Sequence, residues 1–292
     1  MSKHVDLFSL KQQILQLRGN PDSRPDASIV IPVNAQGDLE NIKVILKDIT
    51  CYEGNYTFEI VLVFNNYEKG NEPQAIQMYS DMGVQVVARP SLRRPGEAVG
   101  FTARIRGVYI AKSEYVLLFD ADCRIPNATA LLNWYVDQFR NGADAAYTHV
   151  DYFNLRSHSS IRFRMVVHHG ARWFKRVIMG IPTTRGSNYA VRRTKVLKYY
   201  EHGLLADEMN VGPTFKKFNG KVVYSGNSDL VVLTSGRMFG GNWLKLFLYL
   251  LYRLRYNMRV LPVGTDVANR TGRENDPQRR YINNRPITDE DS

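Results

Sequence analysis

Residues 115–119, Tyr-Val-Leu-Leu-Phe, are a continuous apolar run that ends in Asp120-Ala121-Asp122. A run this short and this apolar reads as a strand covered on both faces, the kind found in parallel sheets. Open α/β sheets bind ligands outside the carboxyl ends of their strands, and the two carboxylates fall there. Asp120 and Asp122 would repel each other unless a positive group sat beside them. A hard divalent cation that also holds phosphate meets that need, because Mg²⁺ is commonly bound by one or two carboxylates plus substrate phosphates. A plain turn is the other reading, since aspartate is frequent in turns and Pro126 follows closely.

The first half of the chain repeats one unit. Residues 27–33 and 58–64 read as further buried strands, and 84–88 as a short one. Leu39, Ile42, Ile45, Leu46 and Ile49 fall at helical spacing, and further helices are expected over 73–82 and 101–112. Alternating strand and helix predict a sheet with parallel crossovers, a nucleotide-binding type of α/β domain. Ahead of it, residues 1–24 predict an N-terminal helical extension with Val5, Leu7, Phe8, Ile14, Leu15 and Leu17 on its apolar face, stopped by Gly19-Asn20-Pro21. The second half is less regular. Strands are expected at 143–151, 186–191, 221–224 and 229–233, and helices at 161–178, 195–202 and 210–218.

Near the C-terminus, segment 241–263 is rich in Leu and Tyr. Leu244, Phe247, Leu248, Leu251 and Leu254 lie at helical spacing, with Lys245, Arg253 and Arg255 interspersed. Such an amphipathic helix either packs on the domain or lies in a membrane surface. Residues 264–292 are polar and Arg-rich, a tail or a lid.

Composition narrows the partners. A net charge of +11 points to anionic ones: nucleotide diphosphates, an anionic membrane surface or nucleic acid. No apolar stretch is long enough for a transmembrane helix, and the N-terminus lacks a secretory h-region. Two cysteines, Cys51 and Cys123, make no disulfide framework, which fits a reducing, cytoplasmic setting. The adjacent pair His168-His169 makes a poor chelate, because neighbours on a helix point to different faces. Cys123 reads as a packed thiol.

Five segments, in order, resemble the inverting family 2 glycosyltransferases with the GT-A fold. Ser28-Ile29-Val30-Ile31-Pro32-Val33 is similar to the family's opening strand. Ala103-Arg104, Gly107, Ala111, Glu114 and Tyr115 resemble the helix and strand before its acidic motif, and Asp120-Ala121-Asp122 resembles that D-x-D motif. Gly186-Ser187-Asn188-Tyr189-Ala190-Val191-Arg192-Arg193 resembles the acceptor-side strand. Asp207-Glu208, followed by Gly220, resembles the acidic catalytic helix.

The resemblance implies a three-layer α/β/α domain of GT-A type over 25–240, with a mostly parallel mixed central sheet and a nucleotide-binding first half. It implies a metal-dependent inverting transfer from a nucleotide-diphosphate sugar to an acceptor hydroxyl, in glycan or glycolipid biosynthesis, with Mn²⁺ or Mg²⁺ as cofactor. Asp122 would ligate the metal directly, and Asp120 would hold the ribose or a metal-bound water. Pro32, Asn34, Asn65, Asn66, Arg104 and Arg237 would meet the nucleotide, and Gly186, Ser187 and Asn188 the donor or acceptor sugar. The base would be Glu208 or Asp207. In register, Glu208 falls on the base position, while Asp207 also reads as a carboxylate complementing a helix dipole.

Three departures stand out. The family usually has Glu before Asp, the reverse of Asp207-Glu208. Its second strand ends in Asp, where this chain has Phe64-Asn65-Asn66, and Phe64 could stack on a base. Its late histidine ligand is replaced by Thr234-Ser235-Gly236-Arg237, where Arg237 either neutralises diphosphate or is a surface arginine. The acceptor would be lipid-linked if segment 241–263 meets a membrane.

Two other functions compete. A sugar-phosphate nucleotidyltransferase would carry a Gly-rich basic loop after the first strand, which Asn34-Ala35-Gln36-Gly37 is not. A basic nucleic-acid-binding protein would carry a recognisable binding signature; none is present, and no nucleic acid partner is expected.

Overall fold

The computed structural model describes residues 6–20, 22–67, 73–88, 99–153, 159–205, 207–235 and 251. Strands β1 (Ala27–Asn34), β2 (Phe58–Asn65), β3 (Gln85–Ala88) and β4 (Tyr115–Phe119) are parallel and lie in the order β3-β2-β1-β4. Beyond β4 come β7 (Asn188–Arg192), antiparallel to it, then β5 (Ala145–Thr148) and β8 (Val222–Ser225). The result is a seven-stranded sheet, mixed and mostly parallel as the family resemblance implies.

Side chains along a strand alternate between faces, so strands apolar at every position need cover on both sides. Ile29, Ile31, Ile60, Leu62, Leu117 and Phe119 join one core cluster; Val30, Val61, Val63, Val116 and Leu118 join the other. Helices α2 (Leu39–Thr50), α3 (Ala75–Asp81) and α5 (Ala128–Arg140) cover the first face. Helices α4 (Val99–Ile110), α7 (Arg193–Glu201) and α8 (Glu208–Lys217) cover the second. Gly107 lets α4 approach closely, because a Cβ there would collide with the Val30 side chain.

Helix α1 (Leu7–Arg18) is capped by Asp6 and packs into the first cluster through Leu10, Ile14 and Leu17. Leu7, Phe8 and Leu15 of its expected apolar face are exposed.

The chain changes direction across the sheet between β1 and β4, and it is at the carboxyl ends of strands at such a switch point that open α/β sheets bind ligands. The β1–β2 ladder runs on to Asn34↔Asn65, but the β1–β4 ladder stops at Val30↔Leu118. Pro32, just beyond that stop, has no N–H to give to β4.

Three elements differ from expectation. Helix α5 falls between the elements expected from sequence, although Ala128, Leu131, Leu132, Tyr135, Val136 and Phe139 are buried at helical spacing after an Asn127 cap. The single strand expected over 143–151 divides at His149. Its first part is β5, and its second, β6 (Val150–Phe153), pairs with β9 (Val232–Ser235) in a separate ribbon. The strand expected at 229–233 starts instead as a 3-10 turn, Ser228–Leu230.

Helix α6 (Ser159–Val177) is turned inside out. Val166 is 67% and Trp173 52% exposed, with Phe163, Phe174 and Val177 also out, while His168 and Arg172 are buried. Apart from Leu251, segments 241–263 and 264–292 lie outside the described residues, as do Arg93, Arg94 and Arg237.

Candidate active site

Strand direction alone gathers most of the site. Asn34, Asn65 and Asp120 stand at or just past the carboxyl ends of β1, β2 and β4. β7 runs the other way, and its pairing of Asn188 with Phe119 brings Gly186, Ser187 and Asn188 to the same edge. α4 supplies Arg104, and the first turn of α8 supplies Glu208.

The centre is Arg104. It is 4% exposed; its guanidinium donates to Asp120 Oδ1, and Nη1 lies 3.8 Å from Glu208 Oε2. Burial works against its charge, but Asp120 and Glu208 outweigh that and push its pKa above the ordinary value. Gly186 lies against it, where a Cβ would come within 2.9 Å of Arg104 Cζ. A side chain at 186 would displace the guanidinium from between its two carboxylates.

Asp120, Asp122 and Cys123 offer ligand atoms within 4.8 Å of one another. Cys123 is a poor member of that set. It is buried, its Sγ donates to the Ser187 carbonyl at 3.5 Å, and burial keeps its thiol protonated by pushing the pKa well up. Two hard carboxylates remain, which suit Mn²⁺ or Mg²⁺ with the other positions left to water and phosphate. Charge supports the same group. The Asp120 pKa is pushed up to about 6 by burial, against the pull of Arg104, with Asp122, Glu208 and Asp38 adding to the rise. One arginine does not balance this many carboxylates.

Asp207 and Glu208 are separated by geometry. Asp207 is fully buried, and its Oδ1 accepts from the backbone N–H groups of Met209 (2.7 Å) and Asn210 (3.0 Å). It is the N-cap of α8, one of the two readings open from sequence. Glu208 reaches Arg104 instead. Its backbone is pinned by Thr184, whose Oγ1 donates to the Glu208 carbonyl (2.6 Å) and accepts from Gly212 N (3.1 Å).

Other expected residues take differing places. Asn66 adopts a left-handed φ of 60° and donates through Nδ2 to Asn34 Oδ1 at 2.8 Å, which joins the β1 and β2 ends. Asn65 is 5% exposed, its amide turned back toward the Val63 carbonyl. Asn188 is buried, with Oδ1 accepting from the Tyr135 hydroxyl and Nδ2 donating to Thr148 Oγ1 at 2.5 Å. Pro32 is buried within β1. The expectation that Phe64 could stack on a base is overturned: its ring is fully buried beside Tyr79.

Two residues escape the motif reading. Asp38 accepts from Asn34 N at 3.3 Å and adds negative field at Asp120; a carboxylate four residues past a strand end, opening a helix, was its signal. Thr184 had none.

No curated protein matches this chain. Among solved structures it is similar to mannosyltransferase PcManGT from Pyrobaculum calidifontis, in complex with GDP-Man and Mn²⁺. The TM-score is 0.52 at 17% identity, over 84% of this chain and 68% of that one. Glucosyl-3-phosphoglycerate synthase from Mycobacterium tuberculosis matches with TM-score 0.46 and 15% identity over 87% and 83% of the two chains. S. aureus TarS in complex with UDP-GlcNAc gives 0.48 and 15% over 78% and 64%. At these identities the first match speaks to the fold, which is GT-A, and the other two carry no argument. Sequence decides the family: the profile of glycosyl transferase family 2 spans residues 28–197, more than half of the chain, and the protein belongs to that family.

Proposed function

We propose that this protein is a metal-dependent inverting glycosyltransferase that moves a sugar from a nucleotide-diphosphate sugar to an acceptor hydroxyl. The observation that carries the reading is buried Arg104, bonded to Asp120 and 3.8 Å from Glu208, with Asp122 beside Asp120 just past the carboxyl end of β4. The GDP-Man and Mn²⁺ held by the mannosyltransferase of similar fold support a nucleotide-sugar and a metal here.

Asp120 and Asp122 would hold the divalent cation, which when bound supplies charge stabilisation to the departing diphosphate. Asn34 and Asn66, joined at the strand ends, border the nucleotide, and Gly186 and Ser187 border the sugar. Glu208 takes the proton of the acceptor hydroxyl as that oxygen attacks the anomeric carbon on the face opposite the leaving group, so the configuration inverts. Arg104 holds Glu208 apart from the metal carboxylates.

Calorimetric titration of UDP and GDP, with and without Mn²⁺, tests the reading. Metal-dependent binding is expected in the native protein and its loss in Asp122→Ala, with thermal unfolding unchanged. Unchanged metal-dependent affinity in that variant overturns the site.

A membrane-delivered acceptor, and with it a place in glycan or glycolipid synthesis, is a second reading. It is favoured by the exposed apolar face of α6, on a helix with Arg162, Arg164, Lys175 and Arg176 and no acidic residue. Among the described residues no helix is long and apolar enough to cross a membrane.

A further inference from the structure

We infer that the buried face of α6, with Arg185, is a binding site for a phosphoryl group carried by the acceptor. The inference rests on the glycosyl transfer proposed above and names the acceptor's class.

Arg172 is 9% exposed. Its Nε has no hydrogen-bond partner, and no ion pair among the described residues includes it. What surrounds it is more positive charge. Arg185 donates to the Tyr152 hydroxyl and contacts His168 Nε2, and Tyr152 and His168 are 3.2 Å apart. Arg176 lies 3.7 Å over the Tyr224 ring. The acid at hand, Asp151, has a side chain 44% exposed and stands 3.8 Å from His169.

Burial and neighbouring positive charge work against the charged forms of Arg172 and His169. Burial and then Arg185 bring Arg172 down to about 9, while burial, His149 and Arg172 bring His169 down to about 4. A buried guanidinium without a counter-charge is costly, and native structures pair such groups. Arginine's planar fork matches phosphate oxygens two at a time. A phosphoryl group would supply both the missing charge and the missing acceptors.

Placement ties this cluster to the reaction. Thr184 holds the Glu208 carbonyl, Arg185 enters the cationic cluster, and Gly186 lies on Arg104. Three consecutive residues thus join the proposed base, the phosphoryl site and the metal carboxylates.

The test uses the full chain, metal-free, with inorganic phosphate and phenyl phosphate as probes and thermal unfolding as readout. A ligand that binds the native state raises its apparent stability. Both probes should raise the melting temperature of the native protein and of Asp122→Ala. Arg172→Met should raise it without any phosphate, by removing the unpaired charge, and should abolish the phosphate-induced shift. Arg172→Lys keeps charge but loses the fork, and should bind phenyl phosphate about tenfold more weakly or worse. Mn²⁺-dependent UDP or GDP binding should persist in both Arg172 variants.

Flotation with phosphatidic acid vesicles, against phosphatidylcholine alone, identifies the source. Arg172-dependent flotation marks a lipid phosphate, and phenyl phosphate binding without it marks a soluble one. No phosphate shift in a protein that binds nucleotide with Mn²⁺, or a shift that survives Arg172→Met, overturns the phosphoryl site and leaves the transferase reading standing. Absence of metal-dependent nucleotide binding in the native protein overturns the transferase reading instead.

Discussion

Helices α2 and α6 are both two-faced, and they are mounted in opposite senses. α2 buries Ile42, Ile45, Leu46 and Ile49 against the sheet and leaves Glu40 and Lys47 in solvent. α6 buries His168 and Arg172 and exposes Phe163, Val166, Trp173, Phe174 and Val177. The first arrangement is what apolar burial favours. The second opposes it twice, by leaving apolar surface in water and by taking charge out of it. α2 therefore stabilises the domain, while α6 places charge inside and apolar surface outside at a cost to stability. The same division runs through the molecule: β1, β2 and β4 with their helices form an apolar frame, while Arg104 is held between Asp120 and Glu208, and Arg185 meets Tyr152 and His168.

The largest effect should come from the polar half. Glu208→Gln removes the proposed base and nothing from the core. Turnover should fall about 100-fold or more, as loss of a general base typically causes, while Mn²⁺-dependent nucleotide binding stays intact. A variant that still turns over at the native rate removes Glu208 from the mechanism and the comparison loses its catalytic side.

The frame should answer in stability instead. Ile45 is fully buried in α2, and Ile45→Ala should cost about 2–5 kcal/mol by urea unfolding, through lost transfer energy and the cavity left behind. Turnover per folded molecule should barely change. A cost below about 1 kcal/mol would mean that α2 is not the stabilising partner in the comparison.

What could be read from sequence follows the same line. β1, β2 and β4 were legible because a strand covered on both faces is apolar throughout, and Asp120 and Asp122 were legible because such a strand must end where ligands bind. The break at His149 was not. β5 and β6 are separated by that residue alone, whose N–H goes to Ser225 and whose carbonyl takes Val232 N–H, so the apolar pattern runs across it. The α5 signal lay in plain apolar spacing after Asn127. The sense in which α6 is mounted had no signal, because periodicity reports two faces and not which one is inside. Asp207 and Glu208 stayed equivalent until cap geometry separated them. Family membership replaces the nucleotidyltransferase reading, against which the loop after β1 already spoke, and the nucleic-acid reading, which charge had suggested.

That separation predicts a smaller effect. Asp207 caps α8 through the N–H groups of Met209 and Asn210. Asp207→Ala should cost about 1 kcal/mol of stability, the usual price of an N-cap, and leave turnover per folded molecule within a few fold. Asp207→Asn, which can still cap, should be nearly neutral. An Asp207→Asn enzyme that folds normally and is dead would exchange the roles given to Asp207 and Glu208.

The smallest stability effect should come from the exposed face of α6, and it bears most directly on why that face exists. Trp173 and Phe174 are each about half exposed, so replacing both with serine removes little packing. The change in unfolding free energy should stay within about 0.5 kcal/mol, as for surface positions generally. If the face served only as solvent-exposed surface, nothing else would change. If it meets a membrane, flotation of the native protein with anionic vesicles should weaken in high salt, because Arg162, Arg164, Lys175 and Arg176 contribute an attraction that salt screens. The double serine variant should lose flotation even at low salt, because the apolar half of the interaction is gone. Nucleotide binding should be the same in both proteins, which keeps the effect off the transferase site. Native protein that fails to float at low salt ends the membrane reading, and leaves the inverted mounting of α6 to be explained by its buried arginine alone.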